Sequence, residues 1–298
     1  MWRILMRMTR IANSIRRFAA LRFLVVGALA VGIFMPAVVF AGGPANGTVS
    51  SPSPQRYVAL GDSVAAGAGL ATANNDNDGL CGRSSRSYPY AVAEALKTNV
   101  EHYACTGAKI DEGIYDSQVR KDTQLFPQLD RAFFTGTPDL ITLTAGANDA
   151  RWAETIQACY ITECGSTVDD YAMKVLRTDI RLELAYALHQ IRSRSEGATP
   201  RVMVSGYYAP FSQEVNCVSG ERFTAGEVAW LHTQHVELNR AIQETAAKFT
   251  FAEYVPIDFS GHELCSDDPW VQSLASFSPL HPTVEGQQAI GRAFIAQL

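Results

Sequence analysis

The sequence predicts an α/β fold, a three-layer α/β/α sandwich around a central parallel sheet. Two observations carry the prediction. After residue 55, short apolar runs of strand length alternate with longer amphipathic runs of helix length, the rhythm of strands joined by helical crossovers and covered on both faces. The roughly 240 residues that follow show neither a second composition break nor an internal repeat, which suits one domain of this architecture.

The chain begins with a different kind of segment. Its first 41 residues carry Arg3, Arg7, Arg10, Arg16, Arg17 and Arg22 and no acidic residue, and Phe23 to Ala41 is an uncharged apolar run. Basic residues followed by an apolar run are the order of a secretory signal peptide, so residues 1–41 are expected to direct export. Val39 and Ala41 satisfy the small-residue rule before Gly42, and Pro36 ends the apolar helix just upstream. An uncleaved membrane anchor is the alternative, because 19 apolar residues can span a bilayer; the rest of the chain faces outward either way. Residues 42–55, rich in Gly, Pro and Ser, form a flexible lead-in, and the folded domain is expected over residues 56–298.

Within that domain, strands are expected at Tyr57 to Leu60, Val100 to Ala104, Leu140 to Thr144, Val202 to Ser205 and Phe251 to Ile257. Helices are expected at Tyr88 to Leu96, Tyr171 to Arg194, Gly226 to Phe249 and Val284 to Ala296, with Thr167 and Asp170 as a capping box ahead of the second.

Charge and cysteine content narrow the function. The formal net charge is -5, but without the arginine-rich leader 19 basic residues face 30 acidic ones, a balance of -11. Such a surface has no basic footprint for a phosphate backbone, which argues against nucleic-acid binding. Cys81, Cys105, Cys159, Cys164, Cys217 and Cys265 all follow the leader, where disulfides persist after export. Arithmetic leaves 15 connectivities, of which a sequential pairing would tie loops beside the elements they leave. No close CxxC pair is present, which argues against zinc.

Four segments at strand ends carry the chemistry. The first strand runs into Gly61-Asp62-Ser63, and a serine at a strand end that opens a turn is either a nucleophile awaiting a base or a plain helix cap. The third strand leads through Gly146 and Ala147 to Asn148, whose amide can face developing negative charge or merely form an Asx turn. The second strand ends in Ala104-Cys105-Thr106-Gly107-Ala108, where the Gly107 N–H is a further donor. Before the last helix, Ser278-Pro279-Leu280-His281-Pro282-Thr283 would hold His281 near Ser63 as a general base. The remaining histidines sit in helices or on a strand, except His262 in another polar loop, to which a structural role or a substrate contact falls.

These blocks, ALGDSVAAG, ACTGA, TLTAGANDA and SPLHPTVEG, resemble in order those of the SGNH or GDSL hydrolase superfamily. The resemblance implies a flavodoxin-like α/β/α domain with Ser63 as nucleophile, the N–H groups of Ser63 and Gly107 and the Asn148 amide as oxyanion donors, and His281 as base. A secreted, disulfide-rich esterase and lipase branch is similar around ACTGA and FSGHELCSDDPW, and it favours pairing Cys81 with Cys105, Cys159 with Cys164, and Cys217 with Cys265. The sequence departs from the family at Ser278, where many members carry an aspartate. By the same resemblance the Ser278 carbonyl orients His281, the alternatives being Asp258, Asp267 or Asp268.

The implied activity is that of a secreted serine esterase or lipase that hydrolyses carboxylic esters of lipids through an acyl-enzyme. Carbohydrate acetylesterase or thioesterase activity, or a noncatalytic cell-envelope domain, are the alternatives. The reaction needs no metal or organic cofactor. The expected partner is a small-molecule or lipid ester met through transient lipid-interface contact, and the protein is expected to act as a monomer. Tyr207, Tyr208, Phe211 and Phe223 would line an acyl groove or pack in the core.

Overall fold

A computed structural model describes residues 54–70, 76–212, 223–264 and 266–298. The expected leader, the lead-in up to residue 53, and the pairing of Cys217 with Cys265 lie outside the described residues. The strands are β1 (Tyr57–Gly61), β2 (Val100–His102), β3 (Gln118–Arg120), β4 (Thr123–Leu125), β5 (Leu140–Thr144), β6 (Arg201–Ser205) and β7 (Ala252–Val255). The helices, numbered over the described residues, are α1 (Ser63–Ala66), α2 (Asp76–Cys81), α3 (Tyr88–Leu96), α4 (Gln128–Ala132), α5 (Trp152–Ile161), α6 (Thr167–Arg194), α7 (Ala225–Ala246) and α8 (Val284–Ile295).

Five strands form one parallel sheet in the order β2-β1-β5-β6-β7, and β3 and β4 form a separate antiparallel hairpin. Every residue of β1 and β5 is buried, as expected of strands covered on both faces. From β1 the chain moves outward to β2, whereas from β5 it moves the other way to β6 and β7. Right-handed crossovers therefore put α3 on one face and α6 and α7 on the other. The contacts agree, since α3 packs on α8 and α6 packs on α7. This is the expected three-layer sandwich. Its strand order reverses between β1 and β5, and ligands bind at the carboxyl ends of strands at such a point.

The four expected helices form, α6 starting at Thr167 rather than Tyr171 and α7 ending at Ala246 rather than Phe249. The cap of α6 is Ser166 with Asp169, one residue earlier than the Thr167 and Asp170 pair: Ser166 Oγ accepts the Asp169 N–H at 3.3 Å and the Asp169 carboxylate accepts the Ser166 N–H at 2.9 Å. Helix α7 carries the same device at Thr224 and Glu227, a T-x-x-E pattern present in the sequence. Buried hydroxyls on and against the central strands are hydrogen-bonded to one another, Tyr57 with Thr142, Tyr88 of α3 with Thr144, and Thr144 with Ser205.

Two of the three expected disulfides lie in the described residues, Cys81–Cys105 and Cys159–Cys164. The first joins the end of α2 to the loop leaving β2, closing a sequence separation of 24, a constraint worth about 3 kcal/mol in the chain-entropy account. The Cys105 N–H also bonds to the Gly61 carbonyl at 2.9 Å, so the bridge anchors the loop next to the end of β1.

Candidate active site

The first turn of the site is built by β1. Gly61 ends the strand at φ +144°, and a side chain there would strike the backbone of Thr144 in β5, so only glycine lets the chain turn here. Asp62 then caps α1 by accepting the Val64 N–H at 2.9 Å, which makes Ser63 the first helical residue. Gln128 of α4 holds the same turn, accepting the Gly61 N–H at 2.8 Å and donating to its carbonyl at 2.9 Å.

The loop before α8 brings His281 to Ser63. Residues 278–281 form a turn closed by the His281 N–H on the Ser278 carbonyl at 3.3 Å, with Pro279 second and Leu280 third at φ +64°, the pattern of a type II turn. Gln272 clamps this loop: its N–H donates to the His281 carbonyl at 2.7 Å, its carbonyl accepts the Leu280 N–H at 3.0 Å, and its side chain donates to Ala68 and Pro282. The Tyr208 hydroxyl adds a bond to the Leu280 carbonyl at 2.7 Å. The result is a separation of 2.8 Å between His281 Nε2 and Ser63 Oγ, the distance at which a neutral imidazole accepts the serine proton.

The hydrogen bond that orients the ring is shifted one residue along the turn, with the expected Ser278 carbonyl still acting on the imidazole. The Nδ1–H of His281 donates to the Pro279 carbonyl at 3.1 Å. The turn geometry explains the shift. Ser278 spends its carbonyl on closing the turn, while a type II turn rotates the peptide between its two central residues and so turns the Pro279 carbonyl toward the ring. Neither Asp258 nor Asp268 takes this place: Asp258 binds Ser260 and Asp268 binds His262. Burial holds the His281 imidazole below the ordinary histidine range, against the pull of the Pro279 and Ser278 carbonyls, so the ring is predominantly neutral at pH 7.

Two candidate donors, at Ser63 and Asn148, line the cleft with this pair, and a third, at Gly107, stands on the adjoining ACTGA loop. One N–H of the Asn148 amide donates to the Ala108 carbonyl at 2.8 Å, which leaves the other for the cleft that Asn148 lines. The same bond ties the turn after β5 to the ACTGA segment. Gly107, at φ +78°, stands one residue from that carbonyl and is not among the residues lining the cleft. Neither the Ser63 nor the Gly107 backbone N–H meets an acceptor among the described residues. Gly146 serves its own backbone, at φ +132°, and a side chain there would meet Ile242, Ile180 and Leu238.

The cleft has a volume of about 110 Å³ and a mainly apolar wall of Trp152, Ile156, Tyr208, Leu238 and Leu280. Tyr207 and Tyr208 line it, whereas Phe211 and Phe223 pack with Val228 and Leu231 in a smaller cluster. His262 stacks on Trp270 with ring centroids 3.6 Å apart, the structural role open to it from its loop. Sequence reasoning missed Gln128, Gln272 and α5, which supplies Trp152 and Ile156.

A serine paired with a neutral histidine at the strand-order reversal of an α/β sandwich, beside an apolar cleft, defines the class of carboxylic ester hydrolases. The chain belongs to the GDSL-like Lipase/Acylhydrolase family, whose model matches residues 59–289. It is 31% identical to a lipase of Streptomyces rimosus over 263 residues, 86% of this chain and 91% of the relative. It is also 31% identical to Lipase 2 of Streptomyces coelicolor over 300 residues, 92% of this chain and 94% of the relative. Among solved structures, phospholipase A1 from Streptomyces albidoflavus superposes with a TM-score of 0.62 at 25% identity, covering 82% of this chain and 98% of that one. The extracellular lipase from Streptomyces rimosus gives 0.62 at 28% identity with the same coverage. The activity is therefore that of a lipase or esterase.

Proposed function

We propose that this protein is an exported lipase in which Ser63 attacks the ester carbonyl and His281 is the general base. The observation that carries the proposal is the 2.8 Å contact between Ser63 Oγ and His281 Nε2. His281 takes the serine proton as the hydroxyl oxygen bonds to the carbonyl carbon. It then returns that proton to the leaving alcohol as the tetrahedral intermediate collapses to an acyl-enzyme. Water, activated by the same ring, releases the acid. The Ser63 and Gly107 N–H groups and the Asn148 amide hold the oxyanion. Asn148→Ala is expected to lower kcat about 100-fold with little change in KM, since the donor acts on charge that exists only in the transition state. An unchanged kcat would remove Asn148 from this role.

Residues 1–41 act as a signal peptide, residues 42–55 as a lead-in and residues 56–298 as the catalytic domain in this proposal. Export is supported by the arginine-rich, apolar leader and by likeness to an extracellular lipase. Among the described residues no helix is long and apolar enough to cross a membrane. Lipid esters are the favoured substrates because the cleft wall is mainly apolar, and Phe277, 99% exposed and four residues before His281, is the side chain we assign to lipid-surface contact. Hydrolysis rates across acyl-chain lengths, phospholipids and acetylated sugars test the substrate class. Faster turnover of medium or long acyl esters than of acetyl esters is expected, with Phe277→Ser slowed on aggregated lipid alone. A profile dominated by acetylated sugars would overturn the lipid assignment.

A further inference from the structure

The sheet ties the two turns that must share one oxyanion only at their roots, where the Asp62 N–H donates to the Thr144 carbonyl at 2.9 Å. The last register pair between β1 and β5 is Gly61 with Thr144. Ser63 and Asn148 both lie beyond it, yet their donors must converge within about 2.7–3.1 Å of the same oxygen.

Tyr207 spans this gap. Its hydroxyl donates to Asp62 Oδ2 at 2.6 Å and accepts the Ala147 N–H at 3.0 Å. Asp62 precedes Ser63 and Ala147 precedes Asn148, so each end of the bridge is one residue from a member of the site. The direction of both bonds is forced: the Ala147 N–H can only donate, so the single phenolic proton goes to the carboxylate. The backbone of Tyr207 is equally fixed. Its N–H donates to Asn239 Oδ1 and its carbonyl accepts from Asn239 Nδ2 and His235 Nε2, each at 2.8 Å, which locks the residue onto α7.

We propose that Tyr207 is a positioning residue that holds the nucleophile turn and the oxyanion turn in catalytic register through its hydroxyl. The role rests on the assignment of Ser63 and Asn148 above. It accounts for a polar group in the otherwise mainly apolar cleft wall, where a phenylalanine would fill nearly the same space. Asp62 depends on the same bond: burial pushes its carboxyl up to about 6, and the Tyr207 hydroxyl, together with the Val64 and Ala65 N–H groups, opposes that shift and keeps the carboxylate that caps α1.

The test is kcat per active site, counted by complete labelling of Ser63 with an organophosphonate, together with KM for a short soluble ester. Tyr207→Phe is expected to lower kcat per labelled site by about 10- to 100-fold, the scale of a small misplacement of reacting groups, with KM within about twofold. Asp62→Asn, whose amide nitrogen cannot accept the Tyr207 proton that Oδ2 accepts in the parent, is expected to show a similar loss. The double variant should lose little more than either, because both changes cut one bridge. A structural role alone would reduce the number of labelled sites and leave kcat per site intact. A kcat per site within twofold of the parent in Tyr207→Phe, or losses that multiply in the double variant, would overturn the proposal. Should Tyr207→Phe fail to fold, a parental kcat per site in Asp62→Asn overturns it equally. Failure of the Ser63 assignment is distinguishable, because the parent protein itself would then take no label at Ser63.

Discussion

Ser63→Ala is expected to yield a folded protein whose ester turnover is lower by on the order of 10⁴-fold or more, the loss seen when one member of a serine–histidine unit is removed. Folding should survive because α1 is capped by Asp62 and not by Ser63, and because the Ser63 hydroxyl's hydrogen bond is to His281 at 2.8 Å rather than to the core. Circular dichroism and thermal unfolding should match the parent, and organophosphonate incorporation should vanish. Some activity above the uncatalysed rate should remain, since the proposed donors at Gly107 and Asn148 still polarise a bound carbonyl. Full activity in the purified variant would sink Ser63 as the nucleophile.

How much of this was legible in the sequence follows from the length of each signal. Helix α3 and strand β5 occupy the residues read for them, because burial imposes a period on the one and an uncharged run of Leu, Ile and Thr on the other over their whole length. The β3–β4 hairpin has three residues per strand and α4 has five, too few for any period to show. Helix α5 is longer but buries only Ile156 and Cys159, so it lacks a continuous apolar stripe. The same contrast holds in the site. Ser63, Asn148 and His281 were legible because each follows a strand or precedes a helix in a short polar block. Tyr207 meets Asp62 across 145 residues and Gln272 meets Ala68 across 204, and no local pattern marks such partners. The contact of His281 with Pro279 has a finer cause. It depends on a left-handed Leu280, a conformation residue type does not announce.

His281→Ala is expected to match Ser63→Ala in its loss, and the double variant should be no worse than either, because a nucleophile and its base act as one unit. The pH dependence separates this assignment from a merely structural histidine. Burial lowers the His281 pKa, so the neutral, proton-accepting ring persists below the pH at which an ordinary histidine with a value of 6.5 would be charged. As pH falls through that depressed value the ring gains a proton, loses its ability to take one from Ser63, and kcat/KM declines. The midpoint of the acid limb should therefore lie below 6.5. The Asp62 carboxyl titrates at about 6 and contributes to the same limb by weakening the cap of α1, so the limb is best read in the parent and in Asp62→Asn together. If His281 governs it, the variant keeps an acid limb at reduced amplitude of kcat. An acid limb lost in Asp62→Asn, or near-normal turnover in His281→Ala, would remove His281 as the base. The Pro279 carbonyl sharpens the expectation. A neutral acceptor fixes the Nδ1–H tautomer but gives the developing imidazolium less support than a carboxylate, so the base works with a ring held neutral by burial rather than one raised by a neighbouring charge.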